Sequence, residues 1–128
     1  AIVMCDVNKL KVVNDKFGHD MGDRYIRNCS KIICKTYSHS PVYRIGGDEF
    51  AVILTGEDYK NRNELIDDLG QKIAEAAQID RIEDGRARMA AGMSVYNPYS
   101  DFSVASVTKR ADESMYTNKR MMEFGGMF

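Results

Sequence analysis

The chain has 128 residues, 44% of them apolar and 29% charged, which suits one globular domain (residues 1–128) with a core of its own. Its 18 Lys and Arg against 19 Asp and Glu leave a formal charge of −1. That balance argues against a groove for a nucleic-acid polymer, which needs clustered cations, but leaves room for one small phosphorylated ligand. No apolar run reaches the length of about 18 residues that a membrane-spanning helix needs, and no signal peptide is visible, so no membrane contact is expected of this domain.

AIVMCDV, residues 1–7, is an apolar run ending in an acid, the pattern of a central strand whose C-terminal end opens on a site. Because it begins in mid-strand, a segment before residue 1 is expected. NKLKVVNDKFGHDMGD reads as a loop rich in Asn, Asp and Gly. From about His19 to Tyr37, apolar residues including Tyr25, Ile26, Cys29 and Ile33 recur at helical spacing. Ser38 to Pro41 ends that helix. VYRI and EFAVIL flank Gly46-Gly47 as a β-hairpin. A second amphipathic helix covers residues 61–79, ARMAAGMSVY (87–96) is strand-like, and a third helix runs over 103–121 with Val104, Val107, Ala111 and Met115 inward. The three cysteines have neither CxxC spacing nor an even count, so they read as small buried hydrophobes in a reducing compartment.

The order β-α-β-β-α-β-α fits an α+β fold of ferredoxin-like type, one sheet with helices packed on it. In that topology the first strand lies centrally, next to the hairpin, which brings Asp6 toward Asp48. Gly46 and Gly47 tolerate the positive φ that a two-residue turn demands, and they let a ligand approach the backbone. Strand alternation is expected to send Asp48 and Glu49 to different sides of the sheet. An acidic, solvated hairpin tip of no consequence is the plain alternative. Against it stand Asp6 at the neighbouring strand mouth and the cations Lys11 and Lys119. Converging carboxylates beside a bare backbone describe a hard-cation site for Mg²⁺ or Mn²⁺, with phosphate oxygens completing the shell.

RIGGDEF at 44–50, DVNKLKVVNDKFGHDMGD at 6–23 and KRADESMY..K at 109–119 together resemble the GGDEF family of diguanylate cyclases, in order and spacing, over essentially the whole chain. The resemblance implies a fold like the palm of nucleotide cyclases and polymerases. It also implies an activity: condensation of two GTP to cyclic di-GMP and two pyrophosphates, each 3′-hydroxyl attacking the other nucleotide's α-phosphorus by a two-metal mechanism. Carried over position by position, Asp6, Asp48, Glu49 and the carbonyl of Val7 are metal ligands. Asp48, Glu49 and Lys11 are the catalytic candidates, and Glu49 serves the metal or deprotonates the 3′-hydroxyl. Asn14 and Asp23 are guanine readers; a carboxylate accepts from guanine N1–H and the 2-amino group, a donor pair adenine lacks. Gly46, Gly47, Arg44 and Lys119 complete the substrate set, Lys119 on the triphosphate. Two plainer readings stay open here: Asp23 as a helix cap, and Arg44 as a solvated strand arginine. His19 reads as a structural hydrogen-bonding group.

One GGDE hairpin supplies one half-site, so turnover implies a homodimer of facing domains. The family's architecture also implies an upstream sensor domain and a cytoplasmic location, alone or as the cytoplasmic part of a membrane-bound sensor. Four departures bear on activity. Asn8 stands where the family commonly has Asp. Tyr37 and Ser40 occupy the positions of an RxxD inhibitory site, so no such site is expected. Met122, Glu123 and Phe124 replace Gly-Arg-Asn, which puts a glutamate where a phosphate-binding arginine is usual. The N-terminal helix and its D-x-L-T motif are absent from the sequence. The alternative reading is therefore a catalytically weak or inactive GTP-binding regulatory module, and a weaker third is a purely structural dimerisation domain.

Overall fold

The computed structural model describes residues 1–124, with side chains through residue 122. Four antiparallel strands, β1 (Ile2–Val7), β2 (Val42–Arg44), β3 (Glu49–Ile53) and β4 (Met89–Ser94), form one sheet in the order β2-β3-β1-β4. This is the ferredoxin-like strand order that the element sequence implies. All six residues of β1 are buried, because helices cover both of its faces and strands pair on both edges. That explains its unbroken apolar run, where a half-exposed strand would alternate.

Alternation sorts β1 between two layers. Val3, Cys5 and Val7 join the larger core with Phe50 and Val52, beneath α2 (His19–Thr36) and α4 (Arg62–Ala77). Tyr25, Ile26, Cys29 and Ile33 of α2 and Leu69 and Ile73 of α4 supply its other half. Each large aliphatic side chain fully buried there contributes about 1.5–3 kcal/mol. Ile2 and Met4 face the other way and pack with Ala90 against Val107, Ala111 and Met115 of α5 (Val104–Phe124). Asp6 continues that second face to the end of the strand.

Helix α5 lies unusually close to β4. A Cβ at Gly92 would fall 2.1 Å from the Met115 backbone nitrogen, so only glycine fits there. Asn118 Oδ1 accepts the Ala91 N–H at 3.1 Å and pins the same contact. The close approach brings the far end of α5 over the mouth of β1.

Several expectations need correction. The segment read as a loop contains α1 (Leu10–Phe17), and a short α3 (Gly56–Lys60) precedes α4. LKVVNDKF carries two β-branched residues with Asn and Asp, which mask the helix locally; Leu10 and Val13 packing on the core overrides that preference. Val104 is exposed, as is Cys34, whereas Cys5 and Cys29 are buried. Burial pushes the Cys29 thiol up to about 12 and that of Cys5 higher still, so both are inert hydrophobes. Among the described residues, no helix is long and apolar enough to cross a membrane.

Candidate functional site

The site begins with a register. Asp6 at the end of β1 pairs with Glu49 at the start of β3, so both carboxylates rise from the same face of the sheet. Just before β3, the Val7 N–H donates to the Asp48 carbonyl at 2.7 Å, tying the hairpin tip to the strand mouth. Because β3 starts only at Glu49, Asp48 precedes the regular strand and alternation does not govern its direction. The expectation that Asp48 and Glu49 diverge is overturned: one carboxylate oxygen from each of Asp6, Asp48 and Glu49 lies within 4.8 Å of the others.

The turn itself also differs from expectation. Ile45 N–H donates to the Glu49 carbonyl at 3.0 Å, leaving residues 46–48 as a looser connection, and neither Gly46 nor Gly47 takes a positive φ. What the glycines provide is space. A Cβ at Gly47 would meet nothing within 4 Å, and one at Gly46 would only touch Glu49 at 3.7 Å. Arg44 is exposed and its Nη2 donates to the Gly47 carbonyl at 2.6 Å, so it braces this turn.

Asp6 is buried, yet its Oδ1 has no hydrogen-bond partner. Its Oδ2 accepts from Lys119 Nζ at 2.9 Å, a bond between chain positions far apart that α5 delivers across the sheet. A buried, unpaired carboxylate oxygen is costly and calls for an explanation. An ion bound between the three carboxylates provides one. The donor set is all oxygen and anionic, which fits a hard divalent cation and not a soft one.

Partial burial raises the Glu49 carboxyl above its usual range, and Asp6, Asp112 and Asp48 push it in the same direction while Lys119 opposes them. Asp112 was not among the sequence-based candidates. It precedes Lys119 by two helical turns on α5, and that spacing is the signal that would have found it.

The second half of the site is built by α1 and α2. Asn14 packs directly on Gly22: a Cβ there would fall 1.7 Å from Asn14 Oδ1. This places Asn14 beside Asp23, which is exposed toward the N-terminal end of α2. Gly18 occupies the N-cap of α2 and no side chain caps it, so Asp23, inside the helix, is not a cap. Lys11 is exposed on α1. His19 opens α2, exposed, with no side-chain hydrogen bond among the described residues.

Between the two halves runs the β1–α1 turn, which carries Asn8 and Lys9. Lys9 sits at φ 56, a left-handed conformation that costs a non-glycine residue about 1 kcal/mol. It is held there because Asn8 is pinned from two sides. Its N–H donates to the Arg88 carbonyl at 2.8 Å, and its own carbonyl accepts from the Tyr25 hydroxyl at 2.9 Å. Asn8 Nδ2 reaches Met122 Sδ at 3.8 Å, while its Oδ1 is buried and unpartnered. At the positions of the RxxD motif, Tyr37 is core and Ser40 donates to Asp58 Oδ2 at 2.7 Å. The substitution at Glu123 falls on a side chain outside the described residues.

The model of the family described as "Diguanylate cyclase, GGDEF domain" matches residues 1–123. A diguanylate cyclase of Vibrio cholerae is 29% identical over 121 residues, covering 94% of this chain and 37% of that protein. This chain thus spans little more than a third of that relative. Among solved structures, the active GGEEF domain of a diguanylate cyclase from Vibrio cholerae superposes with a TM-score of 0.74 at 27% identity, covering 93% of this chain and 75% of that one. The GGDEF domain of DgcB from Caulobacter crescentus, in complex with c-di-GMP, gives 0.74 at 25% identity, over 93% and 71% of the two chains.

Proposed function

The chain belongs to the GGDEF diguanylate cyclase family, and from that premise we propose that it is a cyclase domain that condenses two GTP into cyclic di-GMP and two pyrophosphates. The observation that carries the reading is the convergence of Asp6, Asp48 and Glu49 within 4.8 Å around an unpartnered buried carboxylate oxygen. These three, together with the Val7 carbonyl, would hold Mg²⁺ or Mn²⁺. Such an ion would neutralise charge on the phosphates and lower the pKa of an attacking hydroxyl.

The chain's own residues do the rest. Asp23 accepts from guanine N1–H and the 2-amino group, and Asn14, locked against Gly22, presents donor and acceptor to the base edge. Open space at Gly46 and Gly47 admits the triphosphate against the hairpin backbone. Lys119, bonded to Asp6 in this structure, exchanges that partner for phosphate oxygens once the carboxylates have a counter-ion. Lys11 adds positive charge from α1. The 3′-hydroxyl of one nucleotide attacks the α-phosphorus of the other, its proton passing to Glu49 or solvent, and pyrophosphate leaves. Because one chain holds one GTP, two chains must face each other, and reach makes the rate depend on dimer concentration. An upstream sensor domain would set that encounter.

Glu123, where the family commonly has arginine, supports a second reading: a module that binds GTP and signals without turnover. Incubation with GTP and Mn²⁺ followed by chromatography separates the two. Cyclic dinucleotide with pyrophosphate supports the enzyme. Bound, unconverted GTP supports the module, and absence of nucleotide binding contradicts both.

A further inference from the structure

On the opposite side of α1 from Lys11 and Asn14 lies a cavity of about 550 Å³, between that helix, the start of α2 and the segment joining α4 to β4. Helical geometry keeps it separate from the site above. Positions 9, 12, 13, 16 and 17 share one arc of α1 and line the cavity, whereas 11 and 14 occupy the other. Its volume falls in the range of small-molecule sites, roughly 300–1,000 Å³.

The lining has two chemistries. Val12, Val13, Phe17, Met21 and Ile82 give an apolar bed, and Val12 and Phe17 are exposed, large apolar side chains with no core to join. Around that bed stand Lys9, Lys16, Arg81, Arg86 and Arg88, against the carboxylates Asp80 and Glu83. Glu83 is taken by Arg81 at 2.8 Å, and Arg86 Nη1 donates to the Ile79 carbonyl at 2.9 Å. Arg88 differs: its Nε is buried with no hydrogen-bond partner. A buried guanidinium donor lacking an acceptor, in a cavity whose cations outnumber its acids, asks for an anion. The apolar bed asks for a hydrophobic body attached to it.

We propose that this cavity binds a small amphipathic acid, an acyl chain or aromatic ring ending in a carboxylate or phosphate monoester. The body lies on Phe17, Met21 and Ile82, and the head meets Arg88 and Lys16. The position matters to the rest of the molecule. The wall residues Tyr25 and Arg88 are the two that pin Asn8, through the Tyr25 hydroxyl and the Arg88 carbonyl. A ligand there touches the support of the strand end that carries Asp6.

The test is a titration of the whole chain, followed through methyl NMR signals, with decanoate, decyl phosphate and the neutral decanol as probes. Saturable shifts are expected at Met21, Val12, Val13 and Ile82 with either acid. Whichever binds more tightly identifies the head group, and Arg88→Met should weaken it about tenfold while the variant's spectrum stays folded. Lys16→Glu, at a lining residue that is itself exposed, serves as the second variant and should also weaken the acids. Decanol binding as tightly as the acids would overturn the proposal, as would shifts confined to Ile45 and Ile53 on the exposed sheet face, or no shift at all. None of these readouts depends on cyclase activity, so they stand apart from the fate of that reading.

Discussion

Asp6, Asp58 and Asp101 are similarly buried, at 8%, 4% and 3% exposure, yet their surroundings are opposite. Asp58 Oδ2 accepts from the His39 N–H at 2.9 Å and the Ser40 hydroxyl at 2.7 Å, strapping the α2–β2 connection to α3. Asp101 Oδ2 accepts from the Asn97 N–H at 2.8 Å and pairs with the Arg110 guanidinium, closing the loop before α5. These two hold loops in place. Asp6 holds no loop: one of its oxygens is unpartnered, its other bonds a lysine from across the sheet, and two more carboxylates crowd it. Burial alone does not distinguish a structural acid from a functional one. What does is an oxygen buried without a partner: Asp6 has one, and among the described residues neither Asp58 nor Asp101 does, because folding rewards satisfied buried charge and a ligand site must leave some unsatisfied.

If that contrast holds, Asp48→Asn should lower cyclic dinucleotide formation by about 100-fold or more, with a melting temperature within about 2 °C of wild type. Equal turnover, measured by product chromatography, would remove the hairpin from the mechanism. The structural acids should behave in reverse. Asp101→Ala strands the partly exposed Arg110 and the Asn97 N–H, and should cost about 2 kcal/mol, seen as a melting temperature lower by several degrees. Metal affinity should be unchanged in that variant. A stability loss in Asp6→Ala as large as in Asp101→Ala would erase the distinction.

Base choice should respond more modestly. Asp23→Ala should reduce the preference for GTP over ATP about tenfold in competitive binding, without loss of helicity, since Asp23 caps nothing. Retained preference would return the residue to the surface.

The smallest effect concerns pH. The Glu49 carboxyl is raised by partial burial and by its acidic neighbours, so the metal-free folded state binds its proton more tightly than the unfolded chain does. Its contribution to stability is therefore present at low pH and is lost as pH rises from the unfolded carboxylate range through the raised folded value. Thermal unfolding of wild type and Glu49→Gln, compared across that window, should show wild type losing stability relative to the variant as pH rises. Parallel curves would mean that Glu49 does not feel Asp6 and Asp48.

The strand order and the pairing of Asp6 with the hairpin were legible because a buried β1 must read as an apolar run and its terminal acid stands out. Helices α2 and α4 showed their 3.6-residue period for the same reason. Helix α1 did not, since Val12, Val13, Asn14 and Asp15 carry poor helix propensity and the core contacts that override it come from residues distant in sequence. The direction of Asp48 was misread because the strand starts only at Glu49, a boundary invisible in the motif. Positive φ at Gly46 and Gly47 was inferred from a two-residue turn, but the connection is longer and needs none. Asp112 escaped notice because it has no motif of its own, only a helical phase shared with Lys119.

The central claim is that one divalent ion is shared by the end of β1 and the hairpin. Electron paramagnetic resonance of Mn²⁺ tests it directly, because the free-ion signal falls as the metal binds. With GTP or a slowly reacting analogue present, wild type should bind Mn²⁺ saturably, and Asp6→Asn and Asp48→Asn should each weaken binding about tenfold or more. Undiminished binding in either variant would contradict the account.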